Sequence, residues 1–301
     1  MINPGRVFRR LVGRYADSPP LELVELETHE LPGYVRRKVE YTGARGDRIR
    51  AYLLVPKKLR RRRPAVLALH QHAGEYFRGK SEVVGESGNP EQAYAAELAE
   101  RGFVVLAPDS VCFQERQDPD LKDGDFERFV FTEEILAGSS MVRRMMADIG
   151  RAVDVLAGLQ EVSSRRIGCI GHSMGAMQTW LAMAYDRRIK AGVSSCGVST
   201  YEAFLAHKIN HCFVLYVPGA TAVMDVGDIV GAIAPRAYLA LAGAEDSIFP
   251  VQGARRAVDV AHRYYQAKDR PERLDLGIYP LGHRFTEEMR RRAYDWLERH
   301  L

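Results

Sequence analysis

From Tyr34 to Tyr41 and again from Arg48 to Val55, apolar and polar residues alternate with the two-residue period of a half-buried strand. Gly43-Ala44-Arg45-Gly46-Asp47 separates the two runs, and this composition is a turn signal. The pattern predicts an antiparallel hairpin. Further on the alternation stops. Ala65–Leu69, Phe103–Ala107, Ile167–Ile170, Ile189–Cys196 and Ala237–Ala242 are short, nearly unbroken apolar runs. Such runs suit strands buried on both faces of a parallel sheet. Helical periodicity lies between them, over about 90–101, 140–159, 176–184, 251–267 and 286–300, with a last strand at 274–279. Thr286 is the expected N-cap of the final helix, with Met289, Trp296 and Leu297 on its inner face.

Strand–helix alternation from residue 65 onward predicts an α/β architecture: a mostly parallel, doubly wound sheet preceded by the antiparallel hairpin. Residues 1–34 show no clean periodicity, carry a Pro19-Pro20 break and read as an N-terminal extension, helical or irregular, packed on the core. Residues 35–301 read as one domain. Two stretches, 110–138 and 197–228, exceed ordinary loop lengths and are candidate lid insertions. The first is acidic in its middle, yet Phe126, Phe129 and Phe131 argue that part of it packs down.

Composition changes this picture little. The chain has 301 residues, 46% of them hydrophobic and 27% charged, with a formal net charge of +4, as in an ordinary soluble globule. The basic cluster Lys57, Lys58 and Arg60–Arg63 lacks the interleaved aromatics that stack bases and reads as a solvated loop, so no nucleic acid is expected as partner. Cys112, Cys169, Cys196 and Cys212 form no C-x-x-C pair, which argues against a disulfide framework or a zinc site. No apolar run follows Arg6, Arg9 and Arg10, and none is long enough to span a bilayer, so a cytoplasmic protein without a membrane partner is expected. The sequence leaves the oligomeric state open, a homo-oligomer included.

The chemistry concentrates at Gly171-His172-Ser173-Met174-Gly175, between a buried strand and a helix. Gly-x-Ser-x-Gly in that setting is the nucleophile-elbow pattern, in which a sharp turn pushes the serine hydroxyl out over the sheet edge. A serine needs a base, and the base an orienting anion. Both must lie on loops at the carboxyl ends of later strands. Asp246, in Gly243-Ala244-Glu245-Asp246 after a strand, is the candidate acid, with Glu245 the neighbouring alternative. His283, in Pro280-Leu281-Gly282-His283 after the last strand, is the candidate base. The developing oxyanion requires donors. The backbone N–H of Met174 is one; the second comes from His70-Gln71-His72-Ala73-Gly74, with His72 preferred and Gln71 next. His70 and His72 lack further ligands at metal-site spacing, and His207 and His211 lack the Glu of H-E-x-x-H, so neither pair is read as a metal site. Arg116, Arg143 and Arg144 could face an anionic substrate but read as solvated surface residues.

These motifs resemble those of the α/β-hydrolase superfamily, within it the dienelactone-hydrolase-like and acetyl-xylan-esterase-like branch. The resemblance spans roughly residues 35–301. It rests on His70–Gly74, Pro108-Asp109, Gly171–Gly175, Ala234-Pro235-Arg236, Asp246–Pro250 and Gly282-His283. It implies a Ser173–His283–Asp246 triad, no cofactor, and hydrolysis of small carboxylic esters through an acyl-enzyme, with a peptidase or amidase of the same fold as the nearest rival and a non-catalytic binding module of that fold as the remaining alternative. Dienelactone hydrolases proper use a cysteine where this chain has Ser173. That departure favours a broader carboxylic-ester or acetyl-ester substrate over dienelactone itself.

Overall fold

A computed structural model describes residues 3–14, 18–57 and 61–301. Part of the basic cluster, Lys58 and Arg60, lies outside these residues. Of the rest, Lys57 pairs with Glu30 (2.7 Å) and Arg63 donates to the Gly102 carbonyl (2.8 Å).

The chain opens with helix α1 (Pro4–Val12), capped by the Asn3 side chain, and strand β1 (Val24–Glu30). The predicted hairpin follows as β2 (Tyr34–Thr42) and β3 (Arg48–Pro56). Next come β4 (Arg63–Leu69), the one-turn α2 (Lys80–Val83), α3 (Tyr94–Glu100), β5 (Val104–Pro108), α4 (Asp123–Leu136) and α5 (Met141–Gly158). The elbow unit is β6 (Val162–His172) and α6 (Met174–Tyr185). Then follow β7 (Ile189–Ser195), α7 (Tyr201–Ala206), α8 (Val226–Gly231), β8 (Ala237–Gly243), α9 (Val251–Gln266), β9 (Leu274–Tyr279) and α10 (Glu287–His300).

The strands form one nine-stranded sheet in the order β1-β2-β3-β5-β4-β6-β7-β8-β9. Pairings from β1 through β3 to β5 are antiparallel, and those from β5 through β4 to β9 are parallel. The antiparallel part is therefore larger than a hairpin. β1, inside the stretch expected to be helical or irregular, adds an edge strand whose seven residues are all exposed. Along β1, Val24 and Leu26 alternate with Glu25 and Glu27, but the run is short and neither face is buried. Its Glu25, Glu27 and Glu30 are the charges that keep an open edge from pairing with other chains.

The period of two sorts each central strand between two cores. Ala65, Leu67 and Leu69 of β4 face a cluster built with α1, α5, α6, α8 and α9, while Val66 and Ala68 face one built with α3 and α10. Burial on both faces explains the unbroken apolar runs. Ser140 caps α5 as its position suggests, accepting from the Arg143 N–H (3.1 Å). Thr286 occupies the N-cap position of α10, but its side chain makes no cap hydrogen bond.

Two other expectations change. Residues 110–138 are not a loop: α4 fills half of them, and its weak amphipathicity hid it. Arg116 and Arg144 are not solvated. The Arg116 side chain is 5% exposed and pairs with Asp47 and Asp148, the latter at 2.8 Å. Arg144 reaches Asp47 (3.0 Å) and Glu134 (3.5 Å). These arginines join the start of α5 to the β2–β3 turn. Arg143 is half-buried and donates to the Arg14 carbonyl. Among the described residues, no helix is long and apolar enough to cross a membrane.

Candidate active site

β4 neighbours both β5 and β6, so the chain leaves its carboxyl end in one direction and returns on the other side. A crevice opens at such a reversal. The loop after β4 and the turn after β6 meet there.

Ser173 stands between β6 and α6 with φ 54° and ψ −116°, a conformation L-residues rarely adopt. Its surroundings leave no alternative. A Cβ on Gly171 would lie 2.3 Å from the Gly175 backbone, and one on Gly175 would lie 1.9 Å from the Leu69 carbonyl oxygen. The two glycines let strand, helix and the end of β4 converge. The Ser173 N–H donates to the Ser195 carbonyl (2.9 Å), tying the elbow to the end of β7.

Asp246 and His283 come together. His283 Nδ1 lies 2.7 Å from Asp246 Oδ2. Asp246 Oδ1 accepts the N–H groups of Ile248 and Phe249, each at 3.0 Å. Three bonds thus hold a carboxylate that is almost fully buried, whereas Glu245 is exposed. The loops carrying the pair are joined through their backbones. Ala244 N–H donates to Tyr279 O (2.7 Å) and Glu245 N–H to Leu281 O (3.0 Å). Gly243 permits this, since a Cβ there would sit 2.4 Å from the Gly282 carbonyl oxygen. The His283 ring lies parallel to Phe249 (5.6 Å between centroids) and 4.7 Å from the ring of His172, the neighbour of Ser173. Burial holds the His172 pKa well below the usual histidine value, with the nearby His283 acting in the same direction, so His172 stays neutral beside it. Ser173 Oγ is not itself hydrogen-bonded to His283 in this conformation; such contacts often tighten only with substrate bound.

In the loop after β4, both histidines are engaged. Ser110 N–H donates to His70 Nε2 (3.1 Å), which leaves Nδ1 to donate to the Gln71 carbonyl (2.7 Å). Burial lowers the His70 pKa to about 4. His72 Nε2 faces Glu127 Oε2 (3.2 Å). Neither ring is free to serve a metal. Among the described residues, the side chains of Cys196, Asp246 and His283 place donor atoms within 4.8 Å of one another. Burial pushes the Cys196 thiol up to about 12, so it is not a thiolate ligand at neutral pH, and one Asp246 oxygen is already taken by His283.

Sequence reasoning missed two side chains near this rim. Glu127 lies 55 positions from His72, and no spacing rule links them. His211 packs on Phe249 (4.4 Å), and burial lowers its pKa to about 4. Set aside as half of an incomplete metal motif, it instead brings the 197–228 segment against the residue stacked on His283. His207 is exposed.

A sheet of this order with a serine elbow and an Asp–His pair on neighbouring strand ends is the α/β-hydrolase fold. The chain belongs to the dienelactone hydrolase family, whose model matches residues 49–297. It is 30% identical over 295 residues to "Putative hydrolase YtaP" of Bacillus subtilis, covering 97% of both chains. Its fold is similar to that of a "putative acetyl xylan esterase" of Bacteroides fragilis (TM-score 0.76, 17% identity, 92% of this chain and 73% of the other). It is also similar to a glucuronoyl esterase of Solibacter usitatus (TM-score 0.75, 15% identity, 98% of this chain and 91% of the other). At those identities the two structures speak for the fold.

Proposed function

We propose that this protein is a serine hydrolase of small carboxylic esters carrying acetyl or short acyl groups, with Ser173 as nucleophile, His283 as base and Asp246 as the orienting anion. The observation that carries this reading is the 2.7 Å His283–Asp246 contact on the same rim as a serine elbow. Asp246 fixes the imidazole so that Nδ1 is protonated and Nε2 is left to accept the Ser173 proton. Ser173 Oγ attacks the ester carbonyl. His283 then returns the proton to the departing alcohol. Water, activated by the same imidazole, releases the acid from the acyl-enzyme.

The oxyanion would be met by two backbone N–H groups, those of Met174 and His72. The His72 assignment draws support from His70. A trans peptide points its C=O and N–H to opposite sides, so a Gln71 carbonyl held by the buried His70 ring turns the His72 N–H the other way. A cavity of about 310 Å³ lies between α4 and the 197–228 segment, lined by Phe131, Ile135, Phe204, Leu215 and Tyr216. Both segments follow strand ends on the active rim, which supports their reading as lid insertions that select the acyl and alcohol groups. The mechanism needs no cofactor, and four unpaired cysteines accord with a cytoplasmic setting.

Ser173→Ala should lower kcat on p-nitrophenyl acetate at least ~10⁴-fold, as nucleophile removal does in related triads. Retention of more than a few per cent of turnover would exclude Ser173. Matching anilides should turn over far more slowly than the esters; equal rates would favour an amidase. A fluorophosphonate probe should label Ser173 in folded protein.

A further inference from the structure

We infer that Glu127, on α4, is a positioning residue of the oxyanion loop: it holds the His72 peptide in register, so the 110–138 insertion is part of the catalytic apparatus and does more than cover substrate. This rests on the reading above, in which the His72 N–H meets the oxyanion.

Glu127 is 4% exposed. Its Oε2 takes two hydrogen bonds from the loop after β4, from His72 Nε2 (3.2 Å) and from the Tyr76 hydroxyl (2.8 Å). The Gly74 N–H donates to His72 Nδ1 (3.0 Å), which places the ring proton on Nε2, aimed at the carboxylate. The same ring packs edge-on against Tyr76 (4.8 Å) and Phe113 (5.0 Å). The His72 carbonyl accepts the Glu75 N–H (3.0 Å). The Gln71–His72 peptide is therefore held from two sides, by His70 at its carbonyl and by Glu127 through the following side chain. Glu127 is the only member of this arrangement contributed by α4.

The other oxygen of Glu127 points away from this use. Oε1 is buried and has no hydrogen-bond partner among the described residues. A sealed carboxylate with one oxygen unmatched is an expensive way to fill space, and an apolar side chain put there alone would leave the His72 Nε2–H and the Tyr76 O–H without their acceptor. A position serving packing alone would lose stability in that exchange but keep its rate in protein that is still fully folded. A position serving the oxyanion loop would lose rate even at temperatures where the variant is fully folded.

Two variants separate these cases, assayed with p-nitrophenyl acetate on the full chain. Glu127→Met removes the acceptor. We expect its melting temperature to fall by a few degrees, because His72 and Tyr76 lose their acceptor, and, well below that temperature, kcat to fall ~10–100-fold with KM within about threefold, the size of effect that loop misplacement and a weakened oxyanion donor produce. Phenylboronic acid, which forms a tetrahedral adduct on a reactive serine, should lose affinity in parallel. Glu127→Gln keeps a carbonyl oxygen for both donors and should keep kcat within about threefold. The inference is overturned if Glu127→Met keeps kcat within twofold, if Glu127→Gln falls as far as Glu127→Met, or if the lost rate returns when the assay is run well below the variant's melting temperature. Loss of the esterase reading itself would look different: Ser173→Ala would remain active.

Discussion

The elbow and the two insertions solve the placement of side chains in opposite ways. At the elbow the main chain decides. Gly171, Gly175 and Gly243 each lie where a single added carbon would come within 2.4 Å of another backbone atom. Ser173, Asp246 and His283 are thus fixed by strand ends that cannot part without breaking the sheet. The insertions are held by side chains: Phe131 stacks on Phe213 (4.3 Å), and Glu127 hooks His72. They also leave apolar groups in solvent, Leu136 at 84% and Leu205 at 72% exposure. The elbow sits where substitution is barely tolerated, and the insertions, proposed above to select substrate, expose positions where substitution is easier.

Four changes test that contrast, in falling order of effect. Gly175→Ala should be the most damaging, because its Cβ collides with a carbonyl that cannot yield; we expect a loss above ~4 kcal/mol or no soluble protein. A well-folded Gly175→Ala protein in urea titration would break the contrast. Arg116→Leu should cost ~3 kcal/mol by leaving Asp47 and Asp148 short of a buried partner, measured in the same way. It marks a part of the 110–138 stretch that is as firmly set as the elbow.

The third test is pH. Burial puts His70 at about 4 in the folded chain, against an ordinary 6.5. Between those values the unfolded chain binds a proton that the folded chain refuses. The stability from neutral His70 is complete above pH 6.5, declines as pH falls to about 4, and then levels; the drop is on the order of 3 kcal/mol. His211 and His172 act in the same direction. His70→Asn should make the decline between pH 7 and pH 4 shallower, and an unchanged slope would remove His70 from the account. Smallest of all, Leu136→Lys, at an exposed helix end, should change stability by less than ~0.5 kcal/mol.

The same contrast governs what could be read from the sequence. Strand ends announce themselves, since an apolar run followed by Gly-x-Ser-x-Gly, by Gly-x-x-Asp or by Gly-His carries both the element and its chemistry. All six parallel strands were legible within three residues at their carboxyl ends. β1 was not, because its alternation, Val24-Glu25-Leu26-Glu27, is only four residues long before the polar Thr28, His29 and Glu30. α4 was not, because its buried Glu127 and Glu134 fall on the face where apolar residues would have revealed a helix. Arg116 looked solvated because charge alone does not say whether Asp47 and Asp148, far away in sequence, stand opposite it. The Glu127–His72 tie was unreadable for the same reason: a polar contact between distant segments leaves no local trace.

The four cysteines carry one practical consequence. Burial pushes the thiols of Cys112, Cys169, Cys196 and Cys212 up to about 12, so in folded protein near neutral pH they should react slowly with maleimides and iodoacetamide, the half-buried Cys212 being the first to respond. A single cysteine engineered onto the outer face of α4 would then take a fluorophore or spin label cleanly. Any motion of that helix during turnover could be followed without first stripping the native sulfurs from the chain.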